Sequence, residues 1–297
     1  MLGSVLVPSA AAAEIQLDNE IEVFAFHATW DPAARTSLAN NIDKIDTLLP
    51  ELIHLGDENG AIADIDSEQS IALTELIRAE KPALKVAPIV NNYADGRWQD
   101  GWLQGILADA EKRIRLIKNL AAFTVDGGHH GLTVNFQGIN PGNQDQFLIF
   151  VRALHATLRS LSRELYVTVP FVGDTGFTTK LAAYSDGLIV LTEGQHAFDT
   201  AAGPMAGQQW FEDKLKSRIA QIPASKLIIG VTNYANEWSD DGTHLNTYSV
   251  QEALTKARIS QAEVGFDPDS LNPHFTYRAE DGGMRHVWFL DAATAFN

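Results

Sequence analysis

The segment 131–137 carries a polar side chain at every second position. Thr133, Asn135 and Gln137 alternate with apolar residues, which is the pattern of a buried strand with one polar face. At the carboxyl end of a barrel strand, such a row is where glycoside hydrolysis would place its carboxylic acids. All three side chains here are uncharged, so none of them can act as a general acid.

Residues at the other predicted strand ends are rich in aromatic rings and amides. They are Trp30, Asn92, Tyr93, Trp98, Gln195, His196, Asn233, Tyr234, Trp238 and Trp288. Aromatic faces stack on sugar rings, and amides both donate and accept hydrogen bonds. These residues therefore indicate a binding site for a neutral sugar.

Strand and helix patterns alternate along almost the whole chain. The predicted strands are 21–27, 52–55, 84–90, 131–137, 165–171, 187–191, 226–232 and 286–290. The predicted helices lie near 38–49, 70–80, 102–123, 144–161, 178–184, 207–222 and 250–260. This alternation predicts an α/β fold, a (β/α)8 TIM barrel, with an open doubly wound sheet as the alternative.

Two further features modify the predicted barrel. The stretch 265–283 is long for a loop and contains Phe275 and Tyr277, so we expect a small strand insertion before strand eight. The pattern ends after that strand without the usual closing helix. We therefore expect a final helix that is missing or truncated, in a domain cut from a longer protein.

Composition excludes several classes of partner. The formal net charge of −16 argues against nucleic acid and against anionic lipid surfaces. The absence of cysteine excludes disulfides, thiolate metal sites and cysteine catalysis. Residues 1–18 are predicted to be a tail, either the remnant of a signal or membrane anchor or a ragged start, because a small-residue run at Ala10–Ala13 lacks a preceding basic region.

Several stretches, in order along the chain, resemble family-18 glycoside hydrolases. Residues 133–137 resemble the end of the family motif Asp-Gly-x-Asp-x-Asp-x-Glu, and residues 25–31, 91–98, 233–238 and 286–297 resemble its further stretches. The match is to the family-18-like domain of bacterial multidomain proteins that also contain a polysaccharide deacetylase and a glycosyltransferase. The resemblance implies a chitinase-like TIM barrel over residues 19–297.

The departures from the family pattern fall on its catalytic positions. The three motif aspartates fall on His130, Thr133 and Asn135, and the acid/base glutamate falls on Gln137. A later family motif, Met-x-Tyr-Asp-Glu-His, reads Leu-Thr-Glu-Gly-Gln-His at 191–196, so Glu193 replaces its tyrosine. Catalysis in the family is substrate-assisted and needs the glutamate as a general acid. The resemblance therefore implies a site that has lost its hydrolytic groups.

Alternatives remain open for the polar row. It is either a residual sugar-binding row or a structural polar layer inside the barrel. A third reading is an active glycosidase in which Glu193, Asp31 or Glu237 serves as a relocated acid. Histidines near strand ends also suggest a metal site. Adjacent histidines on a strand point to opposite faces, however, and cannot bind one metal together. We therefore expect neither a metal nor another cofactor.

Trp288 is the strongest predicted sugar contact. By resemblance it lies on the eighth barrel strand and forms the floor beneath the sugar at the cleavage point, with a core aromatic as the alternative. The function expected is binding of an N-acetylglucosamine-type polysaccharide in an extracytoplasmic, membrane-linked protein. A purely structural or docking domain beside deacetylase and glycosyltransferase domains is the remaining alternative.

Overall fold

The computed structural model describes residues 21–29, 31–291 and 294. The strands are β1 (Phe24–His27), β2 (Thr47–Leu55), β3 (Ile62–Asp64), β4 (Lys85–Val86), β5 (Ile89–Asn91), β6 (Tyr93–Ala94), β7 (Arg97–Trp98), β8 (Gly131–Asn135), β9 (Glu164–Pro170), β10 (Gly187–Leu191), β11 (Leu227–Gly230), β12 (Tyr234–Ser239), β13 (His244–Ser249), β14 (Gly265–Phe266), β15 (Pro273–Arg278) and β16 (Met284–Phe289). The helices are α1 (Pro32–Asn41), α2 (Ser67–Glu80), α3 (Asp100–Ala108), α4 (Ala110–Asp126), α5 (Gln144–Ser160), α6 (Thr175–Ala183), α7 (Gln208–Ile219) and α8 (Val250–Ile259). The predicted tail 1–18 and Trp30 lie outside the described residues.

A curved parallel sheet forms the body of the molecule. Its order is β1-β2-β5-β8-β9-β10-β11, so strands that follow one another along the chain are neighbours in the sheet. The helices between these strands make the parallel connections. The sheet is nearly closed, and the predicted TIM-barrel fold is confirmed.

Alternating side chains divide the core into two layers. Leu132, Val134 and Phe136 pack outward in a large apolar cluster that includes residues of the helices. Thr133 points the other way, because its neighbours across the sheet are Ile89 and Tyr166, which belong to a smaller cluster inside the barrel. The alternation predicted for this strand is therefore confirmed.

Most helices begin at a polar cap. The side chains of Asp31, Asp66, Asp109 and Asp174 each accept a hydrogen bond from a backbone N–H of the following helix, which satisfies donors that the first turn leaves free. Ser249 and its partner Glu252 form a capping box at α8. These short-range contacts fix where each helix starts.

The predicted helix 38–49 is wrong at its carboxyl end. Helix α1 ends at Asn41, and β2 already begins at Thr47. Leu48 and Leu49 therefore belong to a strand that continues through Pro50, and both side chains are buried. A short apolar run fits helical spacing and a fully buried strand equally well, and here the pairing with β1 decides the outcome.

The prediction of an eighth barrel strand at 286–290 is also wrong. Strand β16 does occupy this stretch, but it pairs antiparallel with β12 and β15. It belongs to a second sheet of order β13-β12-β16-β15-β14. The small strand pair predicted in 265–283 is confirmed as β14 and β15. Within the described residues, the barrel thus has seven parallel strands, with β1 and β11 at its edges.

The second sheet is built around a buried carboxylate. Glu237 is 2% exposed and accepts hydrogen bonds from Asn246, Tyr248 and Tyr277. The ammonium group of Lys256 lies 3.5 Å from it. Burial opposes ionisation, but these hydrogen bonds and the charge of Lys256 prevail and lower the pKa of Glu237. The network joins β12, β13, β15 and α8.

None of the helices in the described part of the chain combines the length and apolar character that crossing a membrane would require.

Replacing Glu237 by leucine is expected to reduce the free energy of unfolding by about 3 kcal/mol, because two tyrosine hydroxyls and an ammonium group lose their acceptor. Urea denaturation of the variant measures this loss. Asp240→Asn is the matched control, because its exposed pair with His286 contributes at most about 1 kcal/mol. Equal losses in the two variants would contradict the structural role of Glu237.

Candidate functional site

A cavity of about 630 Å³ lies where the barrel strands end and the second sheet begins. It is lined by Phe136, Gln137, Gly138, Ile139, Thr168, Val169, Pro170, Leu191, Glu193, Gly194, Ala197, Phe198, Tyr234, Asn236, His244 and Thr247. The volume falls within the ~300–1,000 Å³ typical of small-molecule sites. One wall therefore comes from the barrel and the other from β12 and β13.

The polar row of β8 changes character from its start to its end. The Thr133 hydroxyl is fully buried and donates to the Ala87 carbonyl at 3.0 Å. Asn135 accepts a hydrogen bond from the Thr168 hydroxyl at 2.8 Å. Gln137, beyond the strand, lines the cavity. The deep part of the row is thus a satisfied structural layer, and only its outer end is free to contact a ligand.

Gln137 is held in place through its backbone. The Gln137 amide N–H donates to Asn92 Oδ1 at 2.8 Å, and Asn92 Nδ2 donates to the Gln137 carbonyl at 3.2 Å. Asn92 is fully buried, so this predicted sugar-binding residue is a positioning residue instead. Because the clamp uses only main-chain atoms of Gln137, its side-chain amide remains available to the cavity.

Glu193 is the carboxylic acid of the cavity. Its Oε2 atom is buried and has no hydrogen-bond partner. Burial raises the pKa of Glu193 to about 7, against a smaller opposing effect of its own backbone N–H. Burial and the neighbouring Glu193 also raise the pKa of Tyr234, which lines the same cavity. A carboxyl group in this setting is largely protonated below neutral pH.

The other two candidates for a relocated acid lie elsewhere. Asp31 caps helix α1, accepting from the Ala33 N–H at 2.9 Å. Glu237 is enclosed in the core of the second sheet. Glu193 is accordingly the one member of that predicted trio that lines the cavity.

His130 does not take part in this site. It directly precedes β8, at the opposite end of that strand from Gln137. Its Nε2 atom lies 3.0 Å from a carboxylate oxygen of Glu164, a contact close enough for an ion pair but not aligned as a hydrogen bond. The placement of a catalytic position at His130 is therefore not supported by the geometry.

Three predicted sugar contacts instead hold the loop 192–207. Gln195 Oε1 accepts from the Gly207 N–H at 2.7 Å. His196 Nδ1 donates to the Ala201 carbonyl at 2.9 Å. The Trp238 indole is fully buried and donates to the Thr200 carbonyl at 3.1 Å. This loop carries Glu193, so these residues position the acid rather than contact a ligand.

The aromatic residues predicted to contact a sugar lie in different parts of the structure. Trp288 lies in the second sheet, half-buried and stacked on His274 at 4.5 Å between ring centroids. It packs beside Tyr234 and is not among the described residues that line the cavity. Tyr93 and Trp98 form an exposed edge-to-face pair on the hairpin β6–β7. Asn233 is exposed just before β12.

The cavity also contains residues that the sequence did not indicate. Phe198 is 75% exposed and lines the cavity, a position suited to stacking on a sugar face. Thr168, Asn236, His244 and Thr247 add polar groups. Asn236 accepts from the Thr247 hydroxyl at 2.8 Å. Asn236, His244 and Thr247 lie in β12 and β13, where the sequence predicted no strands, so nothing indicated that these residues would meet the barrel.

In the part of the chain that the structure describes, no three His, Cys, Asp or Glu side chains lie together in a way that could hold a metal ion.

The fold agrees with comparisons to known proteins. The family described as glycosyl hydrolases family 18 matches residues 22–294, and the chain belongs to this family. A curated relative is the Bacillus subtilis (strain 168) protein named "Putative sporulation-specific glycosylase YdhD", 25% identical over 220 residues. That match covers 70% of this chain and 52% of the relative, so the chain spans about half of the relative's length.

Solved structures show the same fold. A chitinase from Chromobacterium violaceum has a TM-score of 0.80 at 20% identity, covering 92% of this chain and 87% of that one. A variant family-18 chitinase from Cycas revoluta in complex with (GlcNAc)4 has a TM-score of 0.75 at 17% identity, covering 92% and 89%. These similarities establish the fold, and the match over residues 22–294 establishes the family, while the chemistry of the site depends on this chain's own residues.

Replacing Glu193 by glutamine tests the burial of this acid. Between pH 4.5 and 7 the folded protein keeps a proton that the unfolded chain releases, so wild-type stability falls as pH rises through that range. Glutamine does not titrate. The stability of Glu193→Gln relative to wild type should therefore rise by up to about 3 kcal/mol between pH 4.5 and pH 8, as measured by urea denaturation. A constant difference across this range would show that Glu193 ionises normally.

Proposed function

We propose that this chain binds an N-acetylhexosamine-containing glycan in the cavity and does not hydrolyse it by the usual family route. The observation that carries the proposal is the amide of Gln137 at the cavity end of β8, where the family motif has its acid/base glutamate. An amide has no proton to transfer at any accessible pH. Loss of a general acid costs about 10²–10⁴ in rate.

The remaining lining suits a sugar. Phe198 offers an exposed aromatic face, and Gln137, Thr168 and Asn236 offer amides and hydroxyls that donate and accept hydrogen bonds. No lysine or arginine occurs among the described residues that line the cavity. An uncharged ligand is therefore favoured over a phosphorylated or carboxylated one. The related chitinase complex contains (GlcNAc)4, which supports the choice of this glycan class.

Calorimetric titration with the N-acetylglucosamine tetramer tests binding. Wild type is expected to give a saturable heat, and Phe198→Ala is expected to weaken binding roughly fivefold through loss of ring stacking, worth about 1 kcal/mol. Phe266→Ala is the matched control, because this exposed ring on β14 does not line the cavity. Absence of heat with wild type would refute glycan binding and would favour a structural or docking role.

A second candidate function, glycoside hydrolysis, is favoured by Glu193 alone. Its carboxyl group is protonated below about pH 7 and lies in the same cavity as Gln137. In this reaction the Glu193 proton passes to the leaving glycosidic oxygen as the glycosidic bond breaks and the ligand's N-acetyl oxygen bonds to the anomeric carbon. Water then attacks that carbon, opens the five-membered ring and returns a proton to Glu193.

A fluorogenic N-acetylglucosaminide separates the two candidates. Binding alone predicts no turnover above background. Hydrolysis predicts turnover that disappears in Glu193→Gln but persists in Glu212→Gln, whose carboxylate is exposed on α7 and pairs with Lys216. Turnover that survives in both variants would exclude Glu193 as the acid.

A further inference from the structure

The cavity contains an acidic group whose partner is absent from the protein. Among the described lining residues, Glu193 is the single carboxyl group, and no basic lysine or arginine faces it. Its Oε2 atom is buried and makes no hydrogen bond. An unpaired charge in such a place is costly, whereas a neutral carboxyl group offers one O–H donor that needs an acceptor. Because Glu193 lines the cavity, a bound ligand is placed to supply the acceptor that the protein lacks.

The elements around Glu193 contribute few other titrating groups. Among the described residues that line the cavity, the segment after β8 contributes the uncharged Gln137 and β9 contributes Thr168, while β12 contributes Tyr234 and β13 contributes His244. Burial and the Glu193 charge keep Tyr234 neutral by raising its pKa. Burial lowers the pKa of His244 below 6.5, although the charge of Glu237 opposes this effect. Among these lining groups, Glu193 is the one whose pKa is brought to about 7.

We propose that Glu193 selects the ligand by donating its carboxyl proton to an acceptor-only oxygen, the carbonyl of an uncharged amide, so that binding is gated by pH. This inference rests on the proposed glycan-binding function and assigns a particular group to it. A carbonyl oxygen cannot donate, and it therefore meets an ionised Glu193 as one acceptor facing another. A hydroxyl group of the ligand could donate to the ionised form, so its contact with Glu193 would not be lost at high pH.

The expected size of the effect follows from the protonated fraction. With a pKa of about 7, that fraction falls from about 0.76 at pH 6.5 to about 0.03 at pH 8.5. Apparent affinity scales with the competent fraction. The dissociation constant of the N-acetylglucosamine tetramer is therefore expected to rise roughly 20- to 30-fold between these two pH values.

Calorimetric titration at pH 6.5 and pH 8.5 tests this expectation in three proteins. Wild type should show the 20- to 30-fold loss. Glu193→Gln keeps a neutral N–H donor that does not titrate, so its affinity should not change between the two pH values. The matched control Glu212→Gln, which removes an exposed carboxylate outside the cavity, should retain the wild-type pH dependence.

A second measurement needs no variant. At pH 8.5, the tetramer should bind with uptake of nearly one proton, so the observed heat should change with the ionisation enthalpy of the buffer. The glucose tetramer, which lacks the amide, should bind without this uptake or not at all. These two readouts test the proposal even if Glu193→Gln fails to fold.

The outcomes separate the proposed role of Glu193 from the proposed glycan binding. Wild-type binding of equal strength at both pH values, or a pH dependence that persists in Glu193→Gln, would overturn the role of Glu193 and leave glycan binding intact. Tighter binding at pH 8.5 would indicate a ligand group that donates to the ionised carboxylate, and it would also overturn the inference. Absence of binding at either pH would overturn both.

Discussion

The parallel pairing of successive strands is the constraint on which the site depends. Strands β8, β9, β10 and β11 run side by side in the same direction, so their carboxyl ends meet at one edge of the sheet. Side chains alternate along each strand, and a shift of one residue in pairing would turn every inward residue outward. The register that places Thr133 beside Tyr166 therefore also fixes the direction in which Asn135 points.

The second sheet turns this edge into an enclosed site. Alternation along β12 sends neighbouring side chains to opposite faces. Asn236 lines the cavity, whereas Glu237 is buried among the tyrosines of its own sheet. The stability of the second sheet and the shape of the cavity are thus linked through a single strand. The buried carboxylate of Glu237 has hydrogen-bond partners and is structural, whereas the carboxyl group of Glu193 lines the cavity and has one oxygen without a partner.

The barrel was largely predictable from sequence because its periodicity is local. The strand 187–191 and the caps before α4 and α6 depend on residues that are close together in the chain. The error in the predicted pairing of the strand 286–290 has a different origin. An alternating strand has the same pattern whether its neighbour is parallel or antiparallel, and the partners of β16 lie far away in sequence. Burial of Glu193 is likewise a tertiary property, so its altered pKa could not be read from the motif.

The edges of the parallel sheet also affect how the protein behaves in concentrated solution. Within the described residues β1 pairs with β2 alone and β11 with β10 alone. Phe26, Ile229 and Val231 are exposed there. Open edges with apolar side chains invite strands of other molecules to pair with them. The net charge of −16 opposes such contact, but salt limits this repulsion to about 8 Å at physiological ionic strength. The negative charge of the chain therefore opposes pairing between separate copies at these edges.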